Sequence, residues 1–219
     1  MNFVPHYFNS DLFFQFMKSS ELAMVFIHLF ISLIFGNFKS FFMAIMIVVS
    51  AQINYFFKHN LATPLFSFFK DYIPIFGQGS RPIGASDCGY FSNCPPKEAK
   101  SFGFPSGHSQ FMGIHSGFLI KDIIINKSKD GKFKNLQSKD KFSILFLLIL
   151  VVLMMYSRVY IEKCHTLEQT IFGSLIGLFL GYKSHDLFTF INKKYNNILN
   201  MDSLTNKIIV SILFFYFTM

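Results

Sequence analysis

Tryptophan is absent from this chain, cysteine occurs three times, and only 12 of its 219 residues are acidic. Charge of either sign is scarce, 15% of residues, where an ordinary soluble domain carries about 25%. That scarcity, with long runs holding no charge at all, excludes such a domain. No Asp or Cys grouping makes a metal site, and Cys164 beside His165 is too little for one. The first 20 residues lack the basic start and small-residue cleavage site of a signal peptide and are expected to stay in the mature chain. The shortage of acids leaves a net charge of +8. In a soluble protein this would suggest nucleic acid, but no nucleic-acid-binding motif is present. The lysines instead sit in loops between apolar runs, where they report topology.

What fills the chain is apolar: 52% of residues, with 32 Phe among them. Six apolar segments stand out, 22–36, 41–57, 104–120, 142–156, 170–182 and 208–219. Several fall short of the ~20 residues a bilayer core requires, so flanking residues must complete the spans, and the last segment is expected to insert only partly if it does not cross. The stretch 61–76 is interrupted by Pro64, Lys70, Asp71 and Pro74 and reads as an interfacial or re-entrant piece. Residues 1–20, rich in Phe and Tyr, read as an interfacial segment ahead of a single membrane-embedded domain, 21–219. The expected fold is an all-α integral-membrane bundle of about six transmembrane helices.

Six spans place both termini and the loops 59–103 and 159–164 on one side. The other side receives Lys39, Lys121, Lys127, Lys129, Lys132, Lys134, Lys139, Lys141, Lys183, Lys193, Lys194 and Lys207, 12 of the 20 cationic residues. The positive-inside rule makes that side cytosolic. Lys58, Lys70, Arg81, His108, Arg158 and His165 then share the lumenal face. If that lumen is oxidising, Cys88 and Cys94 either bridge or remain two free thiols. Gly113 and Gly117, and Gly173, Gly177 and Gly181, recur every four residues, a pattern for close helix packing. His28 and His115 lie within spans, where each is either a functional residue or a neutral histidine satisfied by a neighbouring helix.

Three polar clusters converge on the lumenal face. They are Ser80-Arg81-Pro82 with Lys58 or Lys70 upstream, Pro105-Ser106-Gly107-His108, and the run from Ser157 to Gln169. In the second, Pro105 to Gly107 break a loop and a helix follows, so His108 falls in a first turn where free N–H groups attract an anion. The plain alternative is a helix capped by Ser106 with His108 hydrogen-bonded there. Two arginines, a lysine and a helix start around one point suit a multiply charged phosphate. Two histidines beside it supply a nucleophile and a proton donor for phosphoryl transfer without a metal.

The order R-P, P-S-G-H, then S-R followed by H resembles the three-part signature of the type-2 phosphatidic acid phosphatase superfamily of integral-membrane enzymes. Gly103 to Met112, G-F-P-S-G-H-S-Q-F-M, and S-R-V-Y with H-T-L-E-Q at Ser157 to Gln169 are most similar to the dolichyl-diphosphate phosphatases. The resemblance covers 41–182. It implies that His165 is the nucleophile forming a phosphohistidine and that His108 protonates the leaving lipid phosphate. It also implies that Arg81, Arg158, a lysine and the backbone N–H groups of Ser106 and Gly107 bind the phosphate, with no cofactor. Most of the superfamily has an aspartate four residues after the nucleophile; here it is Gln169, one helical turn away, whose oxygen is expected to accept the His165 ring N–H. Glu162 and Glu168 are rival partners.

Two departures carry structural expectations. Six residues separate Arg158 from His165 where the family has five, so either one bulges from the turn or the arginine points elsewhere. The family's lysine stands seven positions before its arginine, where this chain has Pro74, which leaves Lys58 slightly favoured over Lys70. The implied reaction is hydrolysis of dolichyl diphosphate at the lumenal face of the endoplasmic reticulum membrane, with the bilayer and a lipid phosphate as partners and no obligate protein partner. The rivals are a phosphatase for phosphatidate or a sphingoid phosphate, a lipid phosphotransferase, and a non-catalytic membrane protein of the same fold.

Overall fold

The computed structural model describes residues 10–62 and 102–195, together with 64, 79, 81, 82, 84 and 85, with side chains placed from residue 19 to 194. Among the described residues there are five α-helices: α1 (Ser10–Phe35), α2 (Phe38–Phe56), α3 (Gly107–Lys127), α4 (Ser138–Tyr156) and α5 (Leu167–Tyr195). Wider π-helical turns extend α2 over Phe57–Ala62 and α4 over Ser157–Ile161. No strand occurs among the described residues. The expected sixth span, 208–219, lies outside them, as do Lys70, Cys88 and Cys94.

Hydropathy and helix length part company at both ends of the chain. α1 begins at Ser10, inside the stretch expected to lie apart at the interface. α5 continues to Tyr195, thirteen residues past the apolar run ending at Tyr182, where a loop was expected. Backbone hydrogen bonding does not require an apolar surface, and the extra turns of α5 have ties of their own. His185 Nε2 and Lys39 Nζ meet opposite oxygens of Asp122 at 3.2 and 3.0 Å, and Lys121 pairs with Asp186. These contacts join α2, α3 and α5 at one end of the bundle.

Among the described residues, two helical stretches are long and apolar enough to cross a bilayer, Phe38–Ala62 and Ser138–Ile161, and Ser19–Phe35 is a shorter apolar helix. Their outer faces carry Phe26 (61% exposed), Phe142 (68%) and Val152 (60%). Surfaces of that kind are matched to lipid. The interior is small: Val25, Ile47, Phe111, Met112, Val151 and Met154 form one core cluster, and Phe42, Met43 and Phe118 another. His28 and His115 meet between α1 and α3 with ring nitrogens 3.4 Å apart, each the polar contact of the other inside the bundle.

The closest helix pair is α3 with α5, and glycine makes it possible. A Cβ on Gly173 would stand 2.5 Å from the Ser106 carbonyl oxygen, one on Gly177 2.1 Å from that of Gln110, and one on Gly181 2.0 Å from that of Ile114. From the other side, Gly113 and Gly117 face the backbone of Ser174 and Leu178. Only residues without side chains allow this approach. The partner numbers rise together, so α3 and α5 run parallel and both begin at the same end of the bundle. α2 and α4 finish at that end.

Candidate active site

Polar residues on the apolar helix α2 fix where α3 starts. Asn54 Nδ2 donates to the Pro105 carbonyl (3.2 Å) and to Gln110 Oε1 (2.9 Å), and Gln110 Nε2 donates to the Ser50 carbonyl (3.1 Å). All three side chains are buried. Together they clamp the Pro105–Gly107 turn against α2 and set half-buried His108 in the first turn of α3. Sequence reasoning passed over Ser50, Asn54 and Gln110. The available signal was a polar pair four residues apart on one face of a membrane-grade helix.

The same turn is tied to α5. The Ser106 N–H donates to the Gln169 carbonyl at 3.0 Å. That amide is therefore committed to the fold and is not offered to an anion, which corrects the expectation that it binds phosphate. Nor does the Ser106 side chain cap α3. Its Oγ is fully buried and has no protein partner.

α5 opens with a reciprocal cap, T-L-E-Q over Thr166 to Gln169. The Gln169 N–H reaches Thr166 Oγ1 (3.4 Å), and the Thr166 N–H reaches Gln169 Oε1 (3.2 Å). This capping box was legible in the sequence and went unread. It has a chemical consequence. A backbone N–H can only donate, so the amide atom at that point is the oxygen. The same oxygen lies 3.2 Å from His165 Nδ1, which must then carry its proton, leaving the lone pair on Nε2. Gln169 is itself held in place: a Cβ on Gly103 would stand 2.2 Å from its Oε1.

The extra residue between Arg158 and His165 goes into the π-helical turn Ser157–Ile161. A π turn is an α turn with one residue inserted, and here it closes with Glu162 N–H to the Ser157 carbonyl at 2.8 Å. The chain then reverses through Lys163 at φ 52°, the left-handed region, and Cys164 N–H returns to the Arg158 carbonyl at 3.1 Å. Arg158 ends fully buried, its guanidinium paired with Glu162, which also accepts from Ser157 Oγ. Glu162 is thus engaged with the arginine and not with His165, and no hydrogen bond joins Glu168 to His165.

Arg81 completes the ring of cations by donating to the Cys164 carbonyl at 3.1 Å. Cys164 is disulfide-bonded. The chain's two other cysteines, Cys88 and Cys94, between which a bridge or two free thiols were left open, lie outside the described residues. Burial, then the charges of Arg81, Lys58 and Arg158 in that order, hold the His165 imidazole well below its ordinary pKa, with the Gln169 hydrogen bond opposing them weakly. Lys58 is close enough to act on His165, whereas its rival Lys70 lies outside the described residues. The result is a neutral imidazole with its lone pair on Nε2, in the field of three cations, at the end of the bundle where two parallel helices both present their N-termini.

Residues 55–193 match the PAP2 superfamily, a stretch that holds Lys58, Arg81, His108, Arg158, His165 and Gln169. The chain belongs to the PAP2 superfamily. PAP2 members are phosphatases, hydrolases that act on lipid phosphates, and this membership with the two span-length helices associates the chain with membranes. No curated protein and no solved structure matches the chain significantly. Within the PAP2 match, Arg81, Arg158, His165 and Gln169 meet at one end of the bundle, and His108 begins α3 at that same end.

Proposed function

We propose that this PAP2 protein hydrolyses a polyprenyl diphosphate, dolichyl diphosphate, to the monophosphate and inorganic phosphate. The observation that carries the reading is the state of His165, whose Nδ1–H is held by Gln169 so that Nε2 keeps its lone pair, with Arg81, Lys58 and Arg158 near enough to act on the ring. In the first step Nε2 attacks the terminal phosphorus, the bond from phosphorus to the bridging oxygen breaks, and His108 gives its proton to that oxygen. In the second, water attacks the phosphohistidine, His108 takes the water's proton, and phosphate leaves with His165 restored. Arg81, Arg158 and Lys58 hold the negative charge that accumulates on the equatorial oxygens, and the N–H of Gly107 and the buried Ser106 hydroxyl add donors.

The prenyl diphosphate is favoured over other lipid phosphates by the H-S-Q-F sequence after the serine turn and by glutamine, not aspartate, at 169. The protein is proposed to cross the endoplasmic reticulum membrane several times with the site lumenal. Lys39, Lys121, Lys127 and Lys183 lie toward the opposite end of the bundle, in keeping with a cytosolic face there. The test is phosphate release from dolichyl diphosphate in detergent with chelator present, for the parent, His165→Ala and His108→Ala, beside phosphatidate and a sphingoid phosphate. The expected result is release by the parent alone, greatest with the diphosphate, and an acid-labile phosphoryl adduct on His165. A folded parent that releases phosphate from none of these lipids overturns the reading.

A further inference from the structure

The end of the bundle away from the active site carries a feature that the proposed reaction does not use. Between α3 and α4 lies a cavity of about 280 Å³, lined by Leu119, Ile123, Phe142, Ser143, Phe146 and Leu147. Whole-ligand pockets run about 300–1,000 Å³, so this one suits a length of hydrocarbon chain. Phe142 and Phe146 are 68% and 52% exposed at its rim, so the groove opens sideways onto the surface that faces lipid.

Helical register puts positive charge at one mouth of that groove. On α3, Leu119, Ile123 and Lys127 follow at four-residue spacing on one face, and Lys127 stands in the last turn. On α4, Lys139 lies three, four and seven residues before Phe142, Ser143 and Phe146, and Ser143 Oγ donates to the Lys139 carbonyl at 3.1 Å. Both lysines are exposed, and among the described residues neither joins an ion pair. The connection between them, residues 127–141, contains six lysines and two aspartates. Of those aspartates, Asp130 is taken up by Asn135, Ser128 and the Lys132 N–H.

We infer that this groove binds an anionic glycerophospholipid of the surrounding bilayer, one acyl chain lying between Leu119, Ile123 and Phe146 and the phosphodiester between Lys127 and Lys139. The occupant follows from charge complementarity at the mouth and an almost wholly apolar lining below it, the arrangement by which basic pockets on a cytoplasmic face select anionic headgroups. The inference rests on the membrane-spanning reading given above. The site is separate from the catalytic one, because the two lie at opposite ends of α3. A phosphodiester lipid such as phosphatidylglycerol also has no terminal phosphate for His165 to attack.

The test uses the full chain in non-ionic detergent, with native mass spectrometry counting adducts from an equimolar mixture of phosphatidylglycerol and phosphatidylcholine. The parent and His165→Ala are expected to retain phosphatidylglycerol with a preference of about ten-fold or more. Lys127→Gln with Lys139→Gln should bring the ratio close to one while leaving phosphate release intact. Ser143→Trp, which fills the groove, should reduce adducts of both lipids. A parent without preference, or a double lysine variant that keeps it, overturns the proposal. So does a preference lost in His165→Ala, which would assign the lipid to the catalytic end. If Ser143→Trp lowers the melting temperature but leaves the adducts unchanged, the groove belongs to a packed segment of protein and not to lipid. A parent that does not fractionate with membranes would instead sink the membrane-spanning reading itself.

Discussion

Replacing Gln169 by glutamate changes one atom of a fully buried side chain and keeps the shape of the site. An oxygen stays where Thr166 N–H and His165 Nδ1–H need an acceptor, both at 3.2 Å, so the capping box survives. What changes is charge. A carboxylate about 4 Å from the imidazolium is worth roughly 4 kcal/mol at the effective dielectric of protein sites, or about 3 pKa units. Burial of the new carboxylate opposes this and Arg81, Lys58 and Arg158 assist it, so an upward shift of about 1–3 units is expected for His165. In the parent, depression of the His165 pKa keeps the nucleophile neutral below the ordinary imidazole range. The acid limb of kcat/KM assigned to His165 should therefore lie well below 6.5 in the parent and move up by at least about one unit in Gln169→Glu. Phosphate release between pH 4 and 8 reads this directly. A folded variant whose acid limb stays within about 0.3 units of the parent's would refute the assignment of Gln169 as the group that orients and tunes His165.

The same depression bears on stability. An unfolded imidazole binds its proton near pH 6.5 while the folded one does not, so acid should cost stability from about pH 6.5 down to the folded pKa, and His165→Gln should flatten that part of a melting-temperature profile. Ser106→Ala removes a buried hydroxyl with no protein partner and should leave the melting temperature unchanged while lowering kcat about 100-fold; unchanged kcat would remove Ser106 from the phosphate site. Gly177→Ala sets a methyl 2.1 Å from the Gln110 carbonyl oxygen, forces α3 and α5 apart, and should cost about 1–3 kcal/mol in a thermal melt. Glu162→Gln leaves the guanidinium of fully buried Arg158 without its carboxylate, and a loss of roughly 3 kcal/mol together with activity is expected. Peptide mapping without reductant should recover Cys164 joined to Cys88 or Cys94, and a Cys88–Cys94 peptide would contradict the bridge.

The three polar clusters were legible because each carries its own chemistry: Arg81, His108, Arg158 and His165 announce themselves by residue type and order. The helices were legible as apolar runs, but their ends were not. Hydropathy marks where lipid touches the chain, whereas α5 runs on through Lys183 to Lys194 on hydrogen bonds and on contacts with Asp122 and Lys121. The inserted residue before His165 could be counted but not located. The choice of a π turn over a looser loop depends on Arg158 finding Glu162 once buried, a tertiary event. The Ser106 amide was misassigned for a similar reason. A free N–H at a helix start is free only until another helix arrives, and α5 arrives with the Gln169 carbonyl.

The parallel pairing of α3 with α5 also sets a schedule for biosynthesis. Neighbours in sequence can close as antiparallel hairpins while the chain is still being made, but two helices pointing the same way need a whole helix, α4, between them. The glycine seam that brings Gln169 to Ser106 is therefore closed only after α5 has been made. Until then His165 lacks the Gln169 oxygen that orients it, and a chain stopped before α5 has only part of the candidate site, however well α1 to α4 have packed.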